Sequence, residues 1–404
     1  MARISRGGWR RNGLFLALLA TGLVVLFTRV DFTSALPFRP HLPVLSTFPS
    51  APLAHACDDV SPPTTESATA PIPNIVHYIW LLADPAVLSL SFKVFITVYS
   101  SHLYLRPTVI YFHTDASPEL WDHARSHGDT WTRRVLALPG VTPNFIPNPR
   151  LTTSNVAIDT FGAKSDFIRA DALRTHGGIY LDTDAIPLRD LTPLRHAGFA
   201  NVVGGAVALK RKYTGFVNTG VWLSRPHSNL AEIFYKGMDA FYNGVWAISV
   251  DILTDLAFRL HAIPGEVLIM HPRAFAPVSW ETADQASLFE LHPSVSDVSA
   301  GSGISSIVGE DGGGTVRNTC RDALSWLAER EGTVRTKGME GWEMDFSSTY
   351  VLHAFDDDAG KIWGWDGQVT VKYVFARRSN YARAVYPAVW QAVREGIIPE
   401  GETV

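Results

Sequence analysis

An α/β fold, a sheet with helices on its faces, is what this 404-residue sequence predicts, and three observations predict it. Short β-rich runs alternate along the chain with longer runs of helical period. One stretch, SDFIRADALRTHGGIYLDTDAIPL at residues 165–188, reads as helix, glycine turn and strand in direct succession. That strand runs out into two carboxylates, Asp182 and Asp184, and α/β sheets hold their ligands outside such strand ends.

The elements follow in order. Ile75 to Trp80 (IVHYIW) is rich in β-formers and is expected to be the first core strand. Thr108 to Phe112 is expected as the second, running into His113-Thr114-Asp115. Pro118 to His127 reads as a helix, because proline sits comfortably in a first turn. Asp166, Phe167, Arg169, Ala170 and Leu173 then recur at three- and four-residue spacing, the helical period. Gly177-Gly178 stops that helix, since glycine tolerates a left-handed cap. Ile179-Tyr180-Leu181 is a short buried strand, and alternation along it puts Asp182 and Asp184 on one face and Thr183 on the other. Asn201 to Leu209 and Gly215 to Leu223 read as a strand pair, followed by helices at Asn229 to Tyr242 and Ile252 to Leu260. Residues 294–319, with Gly312-Gly313-Gly314, form a Gly/Ser-rich insertion that lacks the Lys-Ser/Thr of a phosphate-cradling loop. A helix from Asn318 to Arg330, a strand from Tyr350 to Phe355 and a helix from Tyr381 to Glu395 complete the reading.

Ahead of this lies a different composition. Arg3, Arg6, Arg10 and Arg11 precede an apolar run, and Arg29 and Asp31 close it. The run is short against the ~20 residues of a typical span, but Arg29 can snorkel. Residues 1–12 are therefore expected as a cytoplasmic tail and 13–30 as a transmembrane signal anchor of type II orientation. A cleaved signal peptide is the rival reading, with Thr33-Ser34-Ala35 as a weak cleavage site. Residues 31–71, proline-rich among Ser, Thr and Ala, read as an extended stem, and 72–404 as the folded domain. A short span suits an early-secretory membrane, so Golgi or ER localisation with the domain lumenal is the expectation. Hydrophobic content of 46% and charged content of 18% fit a globular body, and a net charge of −4 argues against nucleic acid as a partner. Two cysteines, Cys57 and Cys320, are too few for a zinc site or a disulfide framework, although one bridge between them is open.

Adjacent carboxylates repel unless a cation lies between them, and a hard divalent ion that also holds phosphate oxygens is the natural partner of Asp182 and Asp184. Two plainer or rival readings stand beside this: a solvated strand end, and a phosphoryl-accepting first Asp as in haloacid-dehalogenase-like phosphatases. The latter pattern wants Thr or Val where Ile186 stands. Asp166 and Arg169 share a helical face, either as a surface ion pair or as groups gripping a sugar and a phosphate. Trp80 is either core or a stacking surface for a nucleobase. His353, on a strand before Asp356-Asp357-Asp358, is either structural or the ligand that completes a metal site. His123 and His127 have ligand spacing but no intervening Glu, and read as surface residues.

The segment AKSDFIRADALRTHGGIYLDTDAIPLRDL resembles the D-x-D sugar-nucleotide motif of glycosyltransferase family 32, which includes fungal α-1,6-mannosyltransferases, mannosyl-inositolphosphoceramide synthases and α-1,4-galactosyltransferases. IPNIVHYIW (72–80), NTGVWLSRPHS (218–228), PRAFAPVSW (272–280) and TYVLHAF (349–355) are similar to further landmarks of that family in the expected order. The resemblance implies a GT-A (Rossmann-like) nucleotide-diphospho-sugar transferase domain, Mn²⁺ or Mg²⁺, a nucleotide-sugar donor, a glycan or glycolipid acceptor and retention at the anomeric carbon. Carried over by position, it implies that Trp80 stacks on the base, that Asp166 and Arg169 contact the donor sugar and phosphate, and that Tyr180 lines the donor pocket. It further implies that Asp182 touches the ribose or sugar and the ion, that Asp184 ligates the ion, that Asn218 sits near the transferred sugar and that His353 lies near diphosphate and metal. Two departures, Ile248-Ser249-Val250-Asp251 and the Asp356–Trp365 stretch, leave the acceptor side and the later metal ligand open. The expected activity is hexosyl transfer, with mannose or galactose foremost. A metal-dependent phosphatase and a catalytically inactive sugar-binding membrane protein are the alternatives.

Overall fold

The computed structural model describes residues 70–207, 214–245, 247–293, 342–346, 348–355 and 367–403. Its frame is a seven-stranded mixed sheet with strand order β3-β2-β1-β4-β7-β6-β8. The strands are Ile75–Ile79 (β1), Val109–Thr114 (β2), Val141–Phe145 (β3), Gly178–Leu181 (β4), Asn201–Val207 (β6), Thr214–Ser224 (β7) and Val267–Met270 (β8). A second, two-stranded sheet pairs Ala185–Pro187 (β5) with Val351–His353 (β9). β3, β2, β1 and β4 are mutually parallel, while β7 runs antiparallel to both β4 and β6. A parallel half joined to an antiparallel strand fits the Rossmann-like frame that the resemblance implies. Helices pack against the parallel half, and on one of its faces Val76, Tyr78, Ile110, Phe112, Ile179 and Leu181 are all buried.

The helices are Phe92–Ser100 (α1), Pro118–His127 (α2), Thr130–Leu136 (α3), Phe161–His176 (α4), Thr192–Arg195 (α5), Asn229–Phe241 (α6), Ile248–Leu260 (α7), Pro272–Phe275 (α8), Thr282–Phe289 (α9), Val371–Ala376 (α10) and Asn380–Arg394 (α11). Local chemistry sets their ends. The Ser117 hydroxyl accepts from Leu120 N at 3.1 Å to start α2, with Pro118 in the first turn. The Thr160 hydroxyl accepts from Ala163 N at 3.2 Å to start α4. At the other end of α4, Gly178 has φ 109°, and a Cβ there would meet Ile75 O at 2.5 Å. Glycine is thus what lets the chain leave α4 and enter β4 flush against β1.

Three expectations change. β4 ends at Leu181, and the next three residues form a turn closed by Ala185 N donating to Asp182 O at 2.9 Å. Asp182 and Asp184 therefore share a site through turn geometry and not through strand alternation. Second, the expected transmembrane helix, and with it the signal anchor, membrane attachment and Golgi or ER placement, is corrected. Among the described residues no helix is long and apolar enough to cross a membrane. The 16-residue α4 falls short of the ~20 residues a span needs and carries Lys164, Asp166, Arg169, Asp171 and Arg174. The tail, the anchor and nearly all of the stem lie outside the described residues, as do the 294–319 insertion, the expected 318–330 helix, both cysteines and Asp356 to Trp365. Third, α7 starts at Ile248, one turn before the expected Ile252, and this brings Ser249 to the site described next.

Candidate active site

The β4–β5 turn delivers Asp182 and Asp184, and β9 delivers His353, because Ala185 pairs with His353 across the small sheet. His353 Nε2 lies 3.5 Å from Asp182 Oδ2 and 3.3 Å from Asp184 Oδ1. One ligand atom from each residue falls within 4.8 Å of the others. Among the described residues this is the one cluster of three or more such groups close enough to hold an ion. Two carboxylates and an imidazole suit a divalent cation of the Mn²⁺ or Mg²⁺ kind, with the nitrogen ligand leaning toward Mn²⁺. The space beside them exists because residue 220 is glycine. A Cβ there would lie 2.3 Å from His353 Cε1 and 2.6 Å from Asp182 Oδ2.

Hydrogen bonds fix the orientation of His353. Gly220 N donates to Asn218 Oδ1 at 2.7 Å, which identifies that atom as the amide oxygen. His353 Nδ1 faces the same oxygen at 3.2 Å and so carries the proton. Nε2 is left to face the carboxylates. Burial lowers the imidazole pKa, but the Asp184 and Asp182 carboxylates outweigh it and hold the pKa above its usual value.

Behind the cluster lies Arg169, 3% exposed. Nη2 sits 3.2 Å from Asp166 Oδ1 and 3.4 Å from Asp182 Oδ1. Nη1 donates to Thr219 O and Nη2 to Ser165 Oγ, each at 2.7 Å. The guanidinium also covers the Tyr180 ring, 4.3 Å from its centroid. Tyr180 OH donates to Asp182 Oδ1 at 2.6 Å. Asp166 is fully buried, and burial pushes its carboxyl up to about 6 against the pull of Arg169 and of the Ser249 and Thr219 hydroxyls. Asp166 and Arg169 are therefore an interior pair facing the Asp182 side of the cluster, and the surface-pair reading is excluded.

The fold thus joins Asp166, Arg169, Tyr180, Asp182, Asp184, Asn218 and His353 in one contiguous network. Trp80 follows the end of β1, the strand next to β4, and is half-buried at the same end of the sheet. Among the described contacts it has no hydrogen bond or ring contact with the network. His123 and His127 stack on each other on the exposed face of α2, as a surface reading expects. Neither Gly220 nor Phe355 is marked as a site residue by the sequence, and Ser249 is marked only within the 248–251 departure. The signal for Gly220 was a glycine inside a strand pattern, which marks close approach of another group.

Residues 110–200 match a family described as "Glycosyltransferase sugar-binding region containing DXD motif". The chain is similar to Glucan organizing enzyme 1 of Cryptococcus neoformans var. grubii, 24% identical over 219 residues that cover 52% of this chain and 55% of that protein. It is also similar to Uncharacterized glycosyltransferase L373 of Acanthamoeba polyphaga mimivirus, 26% identical over 170 residues, 41% of this chain and 55% of that one. The chain spans about half the length of these relatives. Among solved structures, the glycosyltransferase GlyE of Streptococcus pneumoniae TIGR4 aligns over 81% of this chain and 64% of its own, at 11% identity and a TM-score of 0.35. The matched residues include the D-x-D sequence Asp182-Thr183-Asp184.

Proposed function

We propose that the chain is a metal-dependent, nucleotide-sugar-using glycosyltransferase of the GT-A type, allied to family 32, that moves a hexose to a glycan or glycolipid acceptor with retention of configuration. The observation that carries this reading is the Asp182–Asp184–His353 cluster around the space left by Gly220, at the carboxyl end of the parallel strands. Asp184, Asp182 and His353 would hold the ion. A bound divalent cation there supplies positive charge to the diphosphate of the donor.

The chain's own residues divide the remaining work. Asn218 keeps Nε2 of His353 turned toward the carboxylates. Arg169 reaches the site through Asp182 and Asp166, since its guanidinium is committed to those carboxylates, Thr219 O and Ser165. Its fixed charge offsets part of the negative charge that gathers as the donor's C1–O bond breaks. Trp80 stacks on the base, Tyr180 and Asp182 line the donor pocket, and Asn218 lies by the transferred sugar. The acceptor hydroxyl forms the new bond to C1 from the face the diphosphate leaves, and its proton passes to the leaving phosphate oxygen. Both Asp182 oxygens are engaged, Oδ1 by Tyr180 and Arg169 and Oδ2 by His353, which suits a fixed ligand and not a phosphoryl-accepting nucleophile.

The test is to incubate the full-length protein with GDP-mannose, UDP-galactose and UDP-glucose in Mn²⁺ and to measure release of nucleoside diphosphate. Hydrolysis of one donor, abolished by EDTA and restored by Mn²⁺, is expected. Release of phosphate from simple esters, with every donor untouched, would overturn the reading.

A further inference from the structure

Three aromatic side chains run outward from the metal cluster. The Phe355 ring stacks on His353, with centroids 3.8 Å apart and planes 24° apart. The Trp280 ring meets Phe355 edge-on at 5.9 Å and Phe216 at 5.5 Å. Phe216, Asn218 and Gly220 follow one another along β7, where Asn218 Oδ1 accepts from Gly220 N, so one strand carries the aromatic wall, the group that orients His353 and the glycine gap in sequence. Trp280 is the outermost of these rings and is 38% exposed.

Two features separate this cluster from ordinary core packing. The first is backbone strain: Phe355 has φ 49°, the left-handed region that a bulky residue rarely enters. The hydrogen bond from Ala354 N to Asp184 O at 2.9 Å ties this strained corner to the D-x-D turn itself. The second is the rigidity of the Trp280 support. The preceding Ser279 donates from Oγ to Asp284 Oδ2 at 2.6 Å and from N to the same atom at 3.1 Å. The Ser279 carbonyl accepts from Gln285 Nε2 at 2.7 Å. A large open ring held by a braced turn is preorganised for a flat apolar ligand face.

We propose that Trp280, backed by Phe216 and Phe355, is the stacking platform for a pyranose ring of the acceptor, so that the acceptor is a saccharide held beside the metal cluster. This rests on the glycosyltransferase reading above. The axial C–H face of a pyranose is an apolar patch with slightly positive hydrogens, which suits the negative face of an indole. The platform adjoins His353 on the side of Asn218, so a ring stacked there places a hydroxyl at the border of the donor site. A protein or lipid hydroxyl without a sugar ring would leave the indole without a matching face.

The experiment compares full-length wild type, Trp280→Ala and Trp280→Phe, in Mn²⁺ with the active donor. Donor hydrolysis is measured without acceptor, and KM is measured for transfer to methyl α-mannopyranoside, methyl β-galactopyranoside and methyl β-glucopyranoside, with glycerol as a ring-free control. Trp280→Ala is expected to raise the KM for the pyranoside acceptor about tenfold or more, with Trp280→Phe intermediate and donor hydrolysis within about twofold of wild type. An unchanged acceptor KM in Trp280→Ala would overturn the proposal. So would hydrolysis that falls in step with transfer, because Trp280 would then be part of the donor site or of the fold. Glycerol serving as well as the pyranosides, or no pyranoside accepting while the donor is hydrolysed, would overturn it too. Absence of donor hydrolysis in the wild type would strike the underlying glycosyltransferase reading instead.

Discussion

Asn218 sets the tautomer of His353: its amide oxygen, fixed by Gly220 N at 2.7 Å, lies 3.2 Å from His353 Nδ1 and requires the proton there. Removing such an outer partner of a metal-binding histidine costs about 10–100-fold in metal affinity. Asn218→Ala is therefore expected to weaken Mn²⁺ binding by that factor in a calorimetric titration. Its unfolding free energy should drop by only about 1 kcal/mol, the worth of one hydrogen bond. An unchanged Mn²⁺ affinity would show that His353 needs no such orientation.

Arg169 is a structural charge. It is buried against two carboxylates, so Arg169→Ala strands Asp166 and Asp182 next to each other without a counter-charge. Breaking a buried pair in this way costs about 3–5 kcal/mol. Urea unfolding should show that loss. Arg169→Lys, which keeps the charge but not the fork, should fold and yet hydrolyse donor slowly. An Arg169→Ala protein of wild-type stability would contradict the interior-pair geometry.

A relay of neutral imidazoles joins the parallel strands to the start of β4. His77 Nε2 donates to Gly177 O at 2.7 Å, leaving Nδ1 to accept from His113 Nε2 at 3.0 Å, and His113 Nδ1 accepts from Asn144 Nδ2 at 2.8 Å. Burial, with neighbouring imidazoles including His176, lowers His77 to about 4 and His113 to about 3. In the unfolded chain both titrate near 6.5. Between pH 6.5 and about 4 the unfolded state binds protons that the folded state refuses, so stability falls as pH falls through this window. The slope is about 1.4 kcal/mol per pH unit for each imidazole, and stability is fully restored above pH 7. Thermal unfolding from pH 8 to pH 4 checks this. His77→Gln, which can still donate to Gly177 O, should flatten the slope; an equally steep slope in that variant would place the effect elsewhere.

Much of this architecture is legible in the residues, where local chemistry and tertiary context agree. Ser117, Pro118 and Gly128 bracket α2, and its bounds follow. The α4–glycine–β4 unit reads directly because Gly177 and Gly178 punctuate a clear change of period. α1 is not legible: Phe92, Val94, Phe95, Ile96, Val98 and Tyr99 are all buried, so no polar stripe marks a helical period. β3 escapes notice because Pro143 and its part-exposed neighbours suit an edge strand, where an apolar run is not required. At the site, Asp182, Asp184 and His353 were candidates on chemistry alone. The gap at Gly220, the inward turn of Ser249 and the strained corner at Phe355 arise only when β7, α7 and β9 converge, and no local pattern encodes that meeting.

The central claim is that Asp184 belongs to a divalent-metal site that serves a nucleotide-sugar donor. Its most direct test is Mn²⁺-dependent release of nucleoside diphosphate by the full-length protein, wild type against Asp184→Ala, with folding of both confirmed by circular dichroism. The account predicts EDTA-sensitive release by the wild type and a loss of about 100-fold or more in the variant at every Mn²⁺ concentration, a magnitude typical of removing a central electrostatic group. Wild-type release by a folded Asp184→Ala protein would contradict it.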